Sequence, residues 1–236
     1  MKTFKVLSAL LGYPTQGLID AAPDFLTILD AERVVPVACR QSLDLLIKEV
    51  ATGEVYDLQE RYGLLFDRSK TLALHLFEHV HGESRDRGQA MVDLKAMYEK
   101  AGLFIAANEL PDYVPLFLEF LSTQPLPEAR ELLGQTSHIL AALAERLERR
   151  TSNYRAVFDA LVAISAAAPS REIVDELLKG FDPDPMDLEA LDAAWEEEEV
   201  RFGPGSQGQG ACGHEGLIAK LRPARRAVDP APSSPK

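Results

Sequence analysis

The sequence predicts an all-α protein, a single helical domain followed by a disordered C-terminal tail. Apolar residues recur at the three- and four-residue spacing of a helix through most of the chain. Alternating Val, Ile and Thr runs bounded by Asn-Gly or Asp-Gly, which are typical of β-hairpins, are absent. Glycine and proline separate the periodic segments, as expected for helices joined by loops.

The first half of the chain contains short helical segments with recognisable ends. Phe4, Leu7 and Leu11 mark the first helix, which Gly12 and Pro14 end. Further helices are predicted over residues 18–29 with an interruption near Pro23, then 37–50, 55–66 and 72–79. Ser84 is a good N-cap for the next helix, which ends at Gly102.

The second half contains the longest predicted helix. Pro125 opens a helix that reaches about residue 149, since proline is tolerated in a first helical turn. Additional helices are predicted over residues 152–168, 171–179 and 187–200, with an extended proline-containing linker at 182–185.

Residues 108–121 form the most informative stretch, a turn followed by a helix. Large apolar residues cover almost all of the expected helical face, so this segment must be buried in the core or against a partner. We expect Asp112 to cap the helix that begins at Tyr113, with Glu109 free to face solvent or a ligand.

The composition limits the classes of partner. The formal net charge is −12, which repels phosphate backbones, so nucleic acid is not an expected partner and a basic peptide is. Two distant cysteines indicate a reducing compartment rather than a disulfide framework. No stretch is apolar enough to span a bilayer or resembles a cleaved signal peptide, which predicts a cytoplasmic protein that is not an integral membrane protein.

Three histidines, His75, His79 and His81, lie close together in sequence. The first two are four residues apart and would share a helix face, so one hypothesis is a metal-dependent helical enzyme using this cluster. The alternatives are a partner-facing role or histidines at the negative end of a helix dipole. Arg85 and Arg87 either pair with nearby acids or orient a peptide or a cofactor anion.

Catalytic signatures are missing from the sequence. It contains neither the Gly-x-Ser-x-Gly elbow nor a phosphate-binding loop nor the dinucleotide-binding glycine pattern. We therefore predict a binding protein that is not an enzyme, has no metal site and holds no cofactor stably. A generic helical adaptor is the other alternative.

Two units are predicted along the chain: an all-helical domain over residues 1–202 and a flexible Gly/Pro-rich tail over residues 203–236. The tail holds five cations against two acids, a net charge of +3, and therefore leaves −15 on the domain. Residues 216–222 are apolar and basic. They either occupy a groove on the domain in place of a partner or remain solvated.

Several segments resemble the TorD/DmsD/NarJ redox-enzyme maturation chaperones. Tyr62-Gly63-Leu64-Leu65-Phe66 matches the family's Tyr-x-x-Leu-Phe signature. The segment Glu109-Leu110-Pro111-Asp112-Tyr113 is similar to its Glu-Pro-x-Asp-His element, with proline displaced by one position and tyrosine in place of histidine. Residues 74–94 strongly resemble the NarJ branch, and 191–198 its C-terminal element.

This resemblance implies a TorD/NarJ-type helical fold and a system-specific chaperone for the catalytic alpha subunit of respiratory nitrate reductase. Such a chaperone binds the N-terminal peptide of the immature alpha subunit, a vestige of a twin-arginine signal. It acts while molybdenum cofactor and iron–sulfur clusters are inserted, before membrane attachment. Molybdenum cofactor biosynthesis proteins are further expected partners.

An apolar groove in an acidic domain suits a basic amphipathic peptide. The predicted peptide-binding residues are Tyr62, Phe66, Glu109, Asp112, Tyr113, Phe117, Glu119 and Phe120. Further residues expected to face a partner are His75, His79, Arg85 and Arg87.

Overall fold

A computed structural model describes residues 1–81, 85–105 and 109–179 of the protein. Within these ranges the chain is all-α, which confirms the predicted fold class. The α-helices are α1 Lys2–Leu11, α2 Gln16–Glu32, α3 Val37–Thr52, α4 Val55–Tyr62, α5 Glu78–His81, α6 Arg85–Lys100, α7 Val114–Thr123, α8 Leu126–Arg149, α9 Arg155–Ile164 and α10 Arg171–Leu177.

The helices form one core around α1. Phe4, Leu7, Leu10 and Leu11 of α1 are fully buried, and this helix packs against α2, α7 and α9. The long α8 packs along α9 and α10, while α3 lies against both α2 and α9. In the described ranges, no helix is both long and apolar enough to cross a bilayer.

The start of α1 is held by a side chain from the end of α2. The Glu32 carboxylate accepts hydrogen bonds from the backbone N–H groups of Lys2 and Thr3 at 2.8 and 2.7 Å, and from the Thr3 hydroxyl at 2.8 Å. These donors lie in the first helical turn, where the N–H groups have no partner within the helix. Glu32 therefore caps α1 across a tertiary contact.

The helix predicted over residues 152–168 is shorter in the structure, where α9 spans Arg155–Ile164. Three other predicted helices differ in their course. The second helix is not interrupted, because Pro23 lies within a continuous α2 whose buried face packs against α1 and α3. The fourth ends at Tyr62 and continues as a π-helical turn, Gly63–Asp67. The predicted helix over residues 72–79 is wrong, since a 3₁₀ turn ends at Leu72 and α5 begins only at Glu78.

Several predictions fall outside the described residues. They are the Ser84 cap, the linker at 182–185, the helix over 187–200 and the tail over 203–236. The end of α6 is described, and Gly102 follows it with φ of 79°, as predicted for a glycine that ends a helix.

Candidate functional site

An antiparallel pairing of two short segments brings the predicted site together. The Val114 N–H donates to the Leu74 carbonyl at 2.8 Å, and the Leu76 N–H donates to the Asp112 carbonyl at 3.0 Å. His75 lies opposite Tyr113 as a result, with their ring centroids 5.5 Å apart. This pairing satisfies backbone groups of residues 74–76, which explains why that stretch is not helical.

Asp112 lies at the centre of this pairing, with 0% of the residue exposed. Its Oδ2 accepts from the Phe77 N–H at 3.1 Å, and its Oδ1 lies 3.3 Å from Nδ1 of His75. One guanidinium nitrogen of Arg87 lies 3.7 Å from Oδ2 and 3.8 Å from a carboxylate oxygen of Glu78.

These contacts correct the expected role of Asp112 as a helix cap. Tyr113 is the N-cap residue of α7, and it makes no side-chain capping bond. The Asp112 carboxylate instead joins the start of α7 to the segment before α5 and to α6. Arg87, expected to pair with the neighbouring acids or to face a partner, here reaches an acid distant in sequence.

The histidines do not share a helix face, because residues 73–77 precede α5 and are not helical. His79 Nε2 lies 2.7 Å from the Ala73 carbonyl, whereas His75 contacts Asp112. Burial lowers the pKa of His79 to about 4, and the positive charge of Arg146 acts in the same direction. Among the described residues, no three His, Cys, Asp or Glu side chains are arranged to hold a metal ion. The side chains of His81 and Arg85 are not among those that the structure describes.

An aromatic cluster surrounds the Tyr-x-x-Leu-Phe motif. Tyr62 and Phe66 are buried with ring centroids 4.9 Å apart, and both pack edge-on against Tyr154. The Tyr62 hydroxyl donates to the Leu11 carbonyl at 3.0 Å and lies 3.3 Å from the hydroxyl of Tyr113. Because the Tyr62 proton points to Leu11, its oxygen is free to accept the proton of Tyr113. The motif thus anchors Tyr113 to the core.

A small cleft of about 100 Å³ opens between the end of α6 and α7. Phe104, in the loop after α6, is 77% exposed at this cleft, and Glu119 of α7 lies at its edge. The Tyr98 hydroxyl donates to the Pro111 carbonyl at 2.8 Å and so ties the cleft to the turn before Tyr113. The lining residues are Tyr98, Leu103, Phe104, Ile105, Leu116, Glu119 and Phe120.

The structure divides the predicted peptide-binding residues into two groups. Tyr62, Phe66, Asp112, Phe117 and Phe120 are buried. Glu109 and Glu119 are exposed, and Tyr113 is half-buried. The five buried residues pack in the core beneath the accessible ones, and they present little of their own surface to a partner.

Sequence reasoning missed several accessible neighbours of this group. The apolar run that follows Gly102 was a usable signal for the cleft, because such residues in a loop are rarely exposed without a reason. Tyr13 packs edge-on against Tyr62 with a centroid distance of 5.5 Å, a contact that no local pattern predicts.

Comparisons with known proteins extend over most of the chain. The family model described as nitrate reductase delta subunit matches residues 34–160. The chain is 40% identical over 227 residues to the nitrate reductase molybdenum cofactor assembly chaperone NarJ of Escherichia coli (strain K12), covering 95% of this chain and 93% of that one.

Two further relatives carry similar descriptions. The probable nitrate reductase molybdenum cofactor assembly chaperone NarW of Escherichia coli (strain K12) is 42% identical over 202 residues, covering 86% of this chain and 84% of its own. The probable chaperone NarJ of Bacillus subtilis (strain 168) is 31% identical over 176 residues, covering 73% of this chain and 93% of its own.

Proposed function

This chain belongs to the nitrate reductase delta subunit family, and we propose on that premise that it is an assembly chaperone for the catalytic alpha subunit of a respiratory nitrate reductase. The observation that carries the proposal is the 40% identity to a chaperone of that description across 95% of the chain. The chaperone acts by binding and performs no catalysis. It holds the immature alpha subunit while molybdenum cofactor and iron–sulfur clusters enter it, and delays membrane attachment.

The proposed client contact is the N-terminal peptide of the alpha subunit, bound as an amphipathic helix along α7. Tyr113 precedes α7 as its N-cap residue, and Leu116 and Phe120, four residues apart, lie along one side of the helix. Seven residues of helix rise by about 10 Å, roughly two turns of a bound helix. This side leads from the half-buried Tyr113 to the cleft beside Phe104.

Apolar burial in the cleft supplies most of the affinity in this proposal. Phe104 and the loop residues beside it have apolar surface to bury, and Glu119 at the edge offers a negative charge to a basic peptide. Charge at the rim of an interface raises the rate of association and the specificity more than it raises affinity. The buried Asp112 contributes by holding Tyr113 in place.

Calorimetric titration with a synthetic alpha-subunit N-terminal peptide tests this function. Replacing Phe104 by alanine removes an apolar side chain whose burial is worth about 1.5–3 kcal/mol, so we expect a Kd roughly ten- to a hundredfold weaker. Tyr56→Ala is the matched control, because Tyr56 is 79% exposed on α4 and lies outside the cleft.

A second pair of variants tests the charge at the edge of the cleft. Glu119→Lys should slow association and reduce its dependence on salt, whereas Glu131→Lys, an exposed acid of α8, should leave both unchanged. Absence of any binding between the wild-type protein and the peptide would contradict the proposed function. Equal effects of Phe104→Ala and Tyr56→Ala would reject the cleft as the contact while leaving the function in place.

A further inference from the structure

We propose that Tyr13, Asp67, Glu109 and Tyr113 form a subsite for one cationic side chain, an arginine or a lysine of the client peptide. The inference rests on the proposed function, because the occupant belongs to the alpha-subunit N-terminal peptide. Tyr13 and Asp67 belong to this subsite although the sequence patterns did not place them in the predicted site. A positive charge is therefore what this group of residues recognises.

Two tyrosine rings form the aromatic part of the subsite. Tyr13 lies in the loop between α1 and α2, is 53% exposed and packs edge-on against Tyr62. Tyr113 is half-buried and its hydroxyl lies 3.3 Å from that of the same Tyr62. The buried Tyr62 therefore positions both rings. Accessible faces of tyrosine rings attract guanidinium and ammonium groups.

Two exposed carboxylates supply the charge. The pKa of the Tyr113 hydroxyl is raised, mainly by burial and further by the negative charges of Glu109 and Asp67. The hydrogen bond with Tyr62 acts in the opposite direction and lowers this pKa. Burial is also the main cause that raises the pKa of Tyr62, and the charge of Asp67 adds to it. The geometry agrees, because Asp67 directly follows Phe66, whose ring centroid lies 4.9 Å from that of Tyr62. Glu109 directly precedes Leu110, whose carbonyl accepts from the Tyr113 N–H at 3.1 Å. A bound cation would relieve this accumulation of negative charge.

Asp67 owes its place to a local irregularity of the backbone. It is the last residue of the π-helical turn Gly63–Asp67, which the Arg68 N–H closes on the Gly63 carbonyl at 3.1 Å. Such turns occur mostly as single insertions in α-helices and are frequent at functional sites. Because a π-helical turn contains more residues than an α-helical turn, residue 67 lies at a different angle about the helix axis from the one that a regular α-helix would give it.

Asp112 is not available to the client, although it is the acid nearest to Tyr113 in sequence. It is fully buried and already interacts with Arg87, His75 and the Phe77 N–H. A client cation would have to displace these partners. Glu109 and Asp67 are exposed, so the peptide's charge is recognised by them.

The subsite and the cleft together impose a spacing on the client. The subsite lies at Tyr113 and the cleft is lined by Leu116 and Phe120, so the two are about 5–10 Å apart along α7. A helical peptide that occupies both has its basic residue about three to seven positions from its apolar anchor. Peptides with the same composition and a different spacing should bind less tightly.

A double-mutant cycle tests the subsite by calorimetry on the full chain. The protein variants are Asp67→Asn with Glu109→Gln, and the peptide variants replace each Lys or Arg in turn by norleucine, which keeps the apolar stem. We expect the protein double variant to weaken wild-type peptide roughly tenfold, and one norleucine peptide to remove most of that difference. Asp24→Asn with Glu131→Gln removes the same charge from α2 and α8 and serves as the control.

The aromatic part has its own test. Tyr13→Phe keeps the ring face and should bind the peptide as tightly as the wild type, while Tyr13→Ala should bind several-fold more weakly. Thermal unfolding of each variant shows whether the loss of affinity reflects loss of folded protein.

The outcomes separate the inference from the function beneath it. Tight binding of the wild-type peptide with no coupling between any peptide charge and the two carboxylates overturns the subsite and leaves the proposed function standing. Tighter peptide binding by the variant with both Asp67→Asn and Glu109→Gln also overturns the subsite, since the two acids would then interact with the basic residues 216–222 of the chain itself. Failure of the wild-type protein to bind the peptide removes the function and the subsite together.

Discussion

Replacing Asp112 by alanine should destabilise the fold more than any other single change of an acidic residue discussed above. The Phe77 N–H would lose its carboxylate acceptor, which costs about 1–3 kcal/mol when the group is buried. Arg87 would lose one of its two carboxylate neighbours, and breaking a buried pair costs about 3–5 kcal/mol. Because Glu78 remains beside Arg87, we take about 3–5 kcal/mol for the two effects together.

That loss is a large part of the stability of a typical domain, which is about 5–15 kcal/mol. For a chain of this length each kcal/mol lowers the melting temperature by roughly 2–4 °C, so we expect a fall of about 10 °C. Thermal unfolding followed by circular dichroism measures it, and urea unfolding gives the free energy directly.

Two further variants separate the contributions at Asp112. Asp112→Asn keeps an oxygen acceptor and the side-chain shape but removes the charge, so it should lie between wild type and alanine. Asp44→Ala is the control, because Asp44 pairs with Lys48 on the surface of α3, where an ion pair is worth at most about 1 kcal/mol. If the melting temperature of Asp112→Ala falls no further than that of Asp44→Ala, the account of Asp112 as the connecting residue is wrong.

Three other changes follow from the packing and from the pKa values. The pKa of His79 falls from 6.5 to about 4 on folding, so the unfolded chain binds a proton at His79 more tightly than the folded chain does. The free energy of unfolding should therefore decrease by roughly 3 kcal/mol as the pH is lowered from 6.5 to 4. Urea unfolding of the His79→Gln variant over this pH range should lack that decrease. Glu32→Ala removes the cap of α1 and should lower the free energy of unfolding by about 1–2 kcal/mol, whereas Glu32→Gln should lower it less. A smaller fall in melting temperature for Glu32→Ala than for Glu32→Gln would contradict this. Gly53→Ala places a Cβ 2.9 Å from the Glu49 carbonyl oxygen and should destabilise the fold by about 1–3 kcal/mol. In Gly17→Ala the nearest atom to the new Cβ is 3.8 Å away, so this variant should be neutral or slightly stabilising. Similar melting temperatures for the two variants would reject the steric argument.

Tyr113 connects the proposed client contact to the folded core. Its backbone pairs with the segment that contains His75, its hydroxyl is held by Tyr62, and it begins the helix whose side leads to the cleft. Asp112→Asn should therefore disturb client binding through the position of Tyr113. Peptide titration at a temperature where this variant is fully folded would show that effect separately from unfolding.

The amino-acid sequence by itself determined the class of fold and the course of the longest helices. The helix predicted from Pro125 to about residue 149 is α8, and the one predicted over 37–50 is α3, which extends two residues further. In both helices, apolar residues recur at helical spacing over several turns and so form one apolar side, which is buried when that side faces the core. The family resemblance was also readable from the order of residues alone.

The tertiary structure decided which apolar residues face the core and which a partner can reach. Phe117 and Phe104 are equally apolar, yet Phe117 of α7 is buried in the core and Phe104 is 77% exposed at the cleft. It also kept residues 74–76 out of a helix, because the backbone groups of Leu74 and Leu76 are paired with those of Val114 and Asp112, far along the chain. Local periodicity reports how much surface a segment must bury. Only the folded chain determines what that surface is buried against, since the contacts come from residues distant in sequence.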